Sequence, residues 1–185
     1  MTTLPDRVLD NLKKIRLILL DVDGVLTDGR IGVLPGGEEI KFFSIYDGLA
    51  IRLAMKMGWE VGFLSGRSSE EVTARARELG IQIVVQGSRD KTKDLEKILE
   101  ERDLQVSEVA YMGDDLPDLP VLKRVGFSAA PDNAVEAVKN EVDYVTHEKG
   151  GNGAVREVVD LLLKTSGKWE EIIEEPDRTG TVPSG

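Results

Sequence analysis

The sequence predicts a doubly wound α/β domain built on a parallel sheet, and two observations carry that prediction. Apolar runs of strand length recur at residues 17–20, 61–64, 81–85, 109–112, 127–130 and 144–145, several of them uninterrupted, as strands covered on both faces require. The segments between them have the length and chemistry of helices, so the chain reads strand, helix, strand, helix.

Residues 1–14 are polar and charged, and the first strand follows at 17–20. Segment 30–44 breaks the alternation: residues 30–34 and 38–44 read as two strands around Pro35-Gly36-Gly37, a projecting β-hairpin. A short helix is expected at 49–57. Ser68 with Glu71 forms a capping box that opens another, ending near Leu79 and Gly80. Further helices are expected at 91–102, 116–124, 134–139 and 154–164. Residues 174–185, rich in Pro, Gly, Thr and Ser, read as a flexible C-terminal tail after one domain spanning 1–173.

Composition bounds the function. A chain of 185 residues, 41% hydrophobic, can bury one ordinary core. Its formal charge of −10, from 34 acidic and 24 basic residues, disfavours nucleic acid and anionic membranes as partners. Cysteine is absent, which excludes disulfides and thiolate metal sites and permits a cytoplasmic address. No apolar run approaches the roughly 18 residues of a membrane span, nor does the N-terminus resemble a secretory signal, so a soluble protein is expected.

Chemistry gathers at strand ends. The first strand runs out into Asp21-Val22-Asp23-Gly24, two carboxylates two residues apart that can point the same way. Carboxyl ends of strands face the ligand crevice in an open α/β sheet. Standing alone, such a pair reads as solvated loop acids. It is joined by Ser65-Gly66-Arg67 after the run 61–64, by Lys91 at a helix start, and by Gly113-Asp114-Asp115-Leu116-Pro117-Asp118 after the run 109–112.

This ordered set, DxD, Ser, Lys and GDDxxD, resembles the four motifs of the haloacid dehalogenase superfamily. The resemblance implies a Rossmann-like core and a phosphomonoester phosphatase. In it Asp21 accepts the phosphoryl group, and Asp23 serves as acid and then base. Ser65 and Lys91 hold the phosphoryl oxygens. Mg²⁺, a cation that favours hard oxygen ligands, would be held by Asp21, Asp114 and the backbone carbonyl of Asp23. Asp115 and Asp118 read either as acids that orient Lys91 or a metal-bound water, or as helix caps.

Many members of the superfamily carry a cap domain, but residues 28–60 and 67–90 leave no room for one. The capless plan resembles the 3-deoxy-D-manno-octulosonate 8-phosphate phosphatases, through residues 21–29, Glu39-Ile40-Lys41, Asp47-Gly48, Ser65-Gly66-Arg67, Gly113-Asp114-Asp115-Leu116 and Gly153-Ala154-Val155-Arg156-Glu157. That likeness implies a phosphorylated sugar-acid substrate and a homotetramer. It places Thr27, Gly66, Arg67 and Arg75 around the sugar acid, whose carboxylate a guanidinium can grip bidentately; on spacing alone Arg75 reads as part of a solvated helix face. The apolar residues of the hairpin, Ile31, Val33, Ile40, Phe42 and Phe43, would then pack between subunits. Arg75 would reach an adjacent subunit's site, and residues 176–185 either fold over a neighbouring site or are disordered.

Three other readings stay open: a phosphatase for a nine-carbon sialic-type sugar acid, a noncatalytic assembly module, and a phospho-acceptor domain resembling response regulators. His147 reads as a surface residue, Trp59 and Trp169 as packing residues, and Gly150 to Gly153 as a turn.

Overall fold

A computed structural model describes residues 4–174. The chain opens with α1 (Asp6–Leu12) and the strand β1 (Leu17–Leu20), followed by a hairpin of β2 (Gly32–Val33) and β3 (Glu39–Ile40). Next come α2 (Ile45–Lys56), β4 (Glu60–Leu64), α3 (Glu70–Leu79), β5 (Ile83–Val85) and α4 (Lys91–Arg102). The second half holds β6 (Val109–Met112), α5 (Leu119–Leu122), β7 (Phe127–Ala130), α6 (Glu136–Lys139), β8 (Tyr144–Val145), α7 (Ala154–Thr165) and α8 (Trp169–Glu174).

Six strands form one parallel sheet in the order β5-β4-β1-β6-β7-β8. β1 sits between β4 and β6, with Leu17 in register with both Glu60 and Val109. Its four residues are all buried because they feed two cores by turns. Ile18 and Leu20 join the core under α1, α2, α3 and α7, while Leu17 and Leu19 join the one under α4, α5 and α6. The uninterrupted apolar run is therefore the signature of a strand covered on both faces.

Several boundaries differ from expectation, each for a local reason. α2 begins four residues earlier, because the Ser44 hydroxyl accepts the amides of Tyr46 and Asp47. The cap of α3 is Ser69, whose hydroxyl accepts the Val72 amide, rather than Ser68. β5 starts at Ile83 rather than Ile81. The helix expected at 116–124 is a 3₁₀ turn, Leu116–Asp118, followed by the four-residue α5, with Pro117 and Pro120 near the start of each. α6 also starts later than expected, at Glu136. Helices α1 and α8 lie in segments whose sequence predicts no element. The hairpin is present but short: its paired rungs are Gly32↔Ile40 and Val33↔Glu39, with no third strand alongside among the described residues to extend them.

Between β1 and β4 stand only this hairpin and α2, and between β4 and α4 only α3 and β5. No cap domain covers the strand ends among the described residues. No helix among them is long and apolar enough to cross a membrane. The tail at 174–185 lies outside the described residues but for Glu174, the last residue of α8.

Candidate active site

The carboxyl ends of β1, β4 and β6 meet at one cleft, lined by Asp21, Asp23, Ser65, Gly66, Arg67, Lys91, Asp114, Asp115, Pro117 and Asp118. Asp21 leaves β1 with its amide donating to the Met112 carbonyl at 2.9 Å, so the sheet ladder itself sets its position. The chain then turns sharply: the amides of Val25, Leu26 and Thr27 all converge on the Val22 carbonyl. Gly24 makes the turn possible. It sits at φ +96°, and a Cβ there would lie 2.0 Å from a carboxylate oxygen of Asp114, so a side chain would expel that carboxylate.

Lys91 enters from the first turn of α4, whose cap is the Asp90 carboxylate accepting the Lys93 amide. Its buried ammonium donates to Asp21 Oδ1 at 2.8 Å, to Asp118 Oδ1 at 2.7 Å and to the Tyr111 hydroxyl at 3.2 Å. Tyr111 in turn donates to Asp118 Oδ1 at 2.6 Å. The other oxygen of Asp118 accepts the amides of Asp114 and Asp115. Asp118 thus has both oxygens engaged, and it acts as a strut that locks Lys91 and the 113–118 loop together. Asp115 caps the following 3₁₀ turn, accepting the Leu116 amide at 2.7 Å.

Carboxylate oxygens of Asp21, Asp114 and Asp118 lie within 4.8 Å of one another. Three acids against the single ammonium of Lys91 leave an excess of negative charge. Burial and then the neighbouring charges of Asp21, Asp118 and Asp115 push Asp114 up to about 8. Burial raises Asp21 to about 6 even though Lys91 opposes it. Burial works against the charge on Lys91, but the carboxylates of Asp21 and Asp118 outweigh it and hold the ammonium above its ordinary value. Asp114 Oδ1 is buried without a hydrogen-bond partner among the described residues. An orphaned buried carboxylate oxygen beside a second acid fits a hard divalent cation. Since Asp118 is saturated, Asp21 and Asp114 are the side chains left to hold it.

Ser65, buried at the end of β4, accepts the Arg67 amide on its hydroxyl oxygen and keeps its proton free to donate. The Arg67 guanidinium reaches Glu39 Oε1 at 2.7 Å and stands 3.8 Å from Asp23 Oδ2. Thr27 and Arg75 do not line the cleft. The Thr27 hydroxyl is buried and used within the turn, accepting the Gly24 and Gly29 amides. Arg75 lies on α3 against the root of the hairpin, bonded to the Ser44 carbonyl and Glu78 and stacked near the Phe43 ring.

Sequence reading passed over four residues that shape this site. In the sequence Tyr111 is one more position of an apolar strand, and Glu39 and Lys41 stand out only through a resemblance. Asn133 carried no signal at all, yet its side chain donates to the Gly24 carbonyl and accepts the Gly150 amide, clamping the catalytic turn to the 150–153 loop.

The chain is similar to known proteins over most of its length. A family described as haloacid dehalogenase-like hydrolase matches residues 83–158. The chain is 44% identical over 164 residues to the 3-deoxy-D-manno-octulosonate 8-phosphate phosphatase of Salmonella typhi, covering 89% of this chain and 87% of that protein. The chain belongs to the haloacid dehalogenase-like hydrolases. Among solved members of this family, the 3-deoxy-D-manno-octulosonate 8-phosphate phosphatase of Yersinia pestis superposes with a TM-score of 0.87 at 41% identity, covering 89% of each chain. The Moraxella catarrhalis enzyme, in complex with magnesium, phosphate and KDO, superposes with a TM-score of 0.89 at 38% identity over 91% of this chain and 97% of that one.

Proposed function

We propose that this haloacid dehalogenase-like hydrolase is a Mg²⁺-dependent phosphatase that converts 3-deoxy-D-manno-octulosonate 8-phosphate to the free sugar acid and phosphate. The observation that carries the reading is the convergence of Asp21, Asp23, Ser65, Lys91 and Asp114 on one cleft, in a chain 44% identical to a phosphatase of that name.

In this reading a carboxylate oxygen of Asp21 attacks phosphorus, the bond from phosphorus to the sugar oxygen breaks, and Asp23 gives its proton to the departing alkoxide. Water then attacks phosphorus of the aspartyl-phosphate while Asp23 takes a proton from that water, and the bond from phosphorus to Asp21 breaks, which frees phosphate and restores both acids. Lys91 and the Ser65 hydroxyl steady the equatorial oxygens as charge moves across the transferring group. A bound Mg²⁺, held by Asp21, Asp114 and the Asp23 carbonyl, supplies the positive charge that lets phosphate approach Asp21. Arg67 receives the carboxylate of the sugar acid, Gly66 leaves room beside it, and Asp118 and Asp115 keep Lys91 and the metal-side loop in place. Thr27 serves by shaping the catalytic turn.

One domain through residue 173, a cytoplasmic location and a homotetramer belong to the same proposal. Supporting the tetramer, Val33, Phe42, Ile45 and Tyr46 are exposed together on the hairpin and the start of α2, at 70%, 80%, 75% and 64%. So much apolar surface on one projection fits a contact between copies, one that also brings Arg75 to a neighbour's cleft.

The test is phosphate release from a panel of eight- and nine-carbon sugar-acid phosphates and simple esters, with and without Mg²⁺. Preference for the eight-carbon substrate, abolished by chelator, is the expected result. A nine-carbon preference would reassign the substrate, and absence of any metal-dependent turnover would leave only a noncatalytic or phospho-accepting role.

A further inference from the structure

The hairpin does more than project. Glu39 opens β3 and Lys41 follows directly after it, two residues apart, and both side chains reach the same side. That side meets the cleft: Glu39 holds Arg67, and the Lys41 ammonium is bonded to Asp23 Oδ1. The Lys41 side chain is wholly buried, at 0% exposure. A lysine is rarely buried so completely without a paired acid, and here the paired acid is the group assigned to proton transfer.

The arrangement divides the two oxygens of Asp23. Oδ1 is tied to Lys41, whereas Oδ2, 3.8 Å from the Arg67 guanidinium, accepts no hydrogen bond among the described residues. Asp21 is treated in the same way by Lys91, which anchors its Oδ1. Two lysines from different elements each fix one oxygen of one catalytic aspartate. Lys91 rides on α4 behind the sheet, and Lys41 arrives from the hairpin.

We propose that Lys41 is a positioning residue of the phosphatase: it fixes the rotamer of Asp23 so that Oδ2 faces the oxygen that leaves the phosphoryl group. The proposal rests on the assignment of Asp23 as acid and base given above. It makes the hairpin part of the catalytic apparatus of its own subunit. A carboxylic acid left to swing delivers its proton along the right line for only a fraction of the time, and that loss matters most when the leaving group is a poor one.

The experiment uses full-length enzyme with Mg²⁺ and two esters, the eight-carbon sugar-acid phosphate and p-nitrophenyl phosphate, with melting curves recorded for every variant. Lys41→Met should lower kcat on the sugar phosphate roughly 10- to 100-fold, within the range that general-acid catalysis contributes. It should slow single-turnover release of p-nitrophenolate by less than about threefold, because that leaving group needs no proton. Lys41→Arg should recover part of the loss. In an Asp23→Asn background, Lys41→Met should cost almost nothing further, since a residue acting through Asp23 has nothing left to position. Equal losses on the two esters, or an undiminished loss in the Asp23→Asn background, overturn the proposal by assigning Lys41 a general structural role. Should Lys41→Met fail to fold, Lys41→Gln carries the same comparisons. A wild-type enzyme inactive on the sugar phosphate but active on the aryl ester refutes the substrate reading instead, while steady-state turnover of the aryl ester, whose water-attack step still needs Asp23 as base, carries the double-variant comparison that decides the role of Lys41.

Discussion

Asp21 and Asp23 leave the same strand end and differ in what touches them, which suits the two roles proposed for them: Lys91 from α4 anchors the first and is itself held by Asp118, and a lysine from the hairpin holds the second. Asp21→Asn should abolish turnover by roughly 10⁴-fold or more, with an unchanged fold and no phosphoryl-enzyme detectable in a burst assay. Asp114 carries a second expectation. Its folded pKa of about 8 lies above the ordinary 3.8, so between those values the folded chain keeps a proton that the unfolded chain has lost. Stability of the metal-free protein therefore declines as pH rises through that window, and a cation at the site reverses the loss. Mg²⁺ should raise the melting temperature more at about pH 8.5 than at about pH 6, where protons compete for the same oxygens. A smaller Mg²⁺ shift at the higher pH would count against Asp114 as a ligand. Arg67→Ala should weaken binding of the sugar-acid phosphate while sparing a simple phosphate ester, as measured by KM on each; equal losses would remove Arg67 from the carboxylate.

At the scale of elements, α7 has an unusual start. Its first residue follows Gly153, which has no side chain to cap it, and the cap comes instead from Asp47 on α2, whose carboxylate accepts the amides of Gly153 and Arg156. Asp47→Ala should cost about 1–2 kcal/mol of stability, the usual worth of an N-cap, read from denaturant unfolding. Burial raises the pKa of Asp47 even against those donors, so Asn should be the mildest replacement. Such a contact explains what was legible in the sequence. Strands 17–20, 109–112 and 127–130 could be bounded to the residue, since an apolar run between turn residues is local information. Lys91 was visible as a residue at a helix start, and the DxD and GDDxxD groups as strand ends. By contrast, the cap made by Asp47, the strut between Tyr111 and Asp118, and the anchoring of Asp23 by Lys41 depend on which distant segments meet. Sequence spacing could assign Arg75 only a place along a helix, and the structure puts it against the hairpin root instead of the cleft of its own chain.

At the scale of the whole molecule, an open cleft and an exposed apolar hairpin are complementary features, because the second can supply cover for the first. Sedimentation should give the mass of a tetramer, and Phe42→Ser with Val33→Ser should shift it toward smaller species and reduce turnover. A single-subunit mass for the unaltered protein would rule the assembly out. Truncation after Glu175 separates the remaining segment from assembly: a lid requires altered substrate affinity and product release with the tetramer intact, whereas unchanged kinetics eliminate it.

The position of β1 between β4 and β6 has one more consequence. Asp21 and Asp23 leave the end of a single strand, whereas Ser65 and Asp114 reach the cleft from the strands on its two flanks, and those partners lie far away along the polypeptide. A protein nicked in the segment after β5 would yield two fragments, neither possessing Asp21 together with its ammonium. Mixing them could restore hydrolysis only when both edges of that strand are sheathed. The enzyme's own turnover would then report the completion of its tertiary structure.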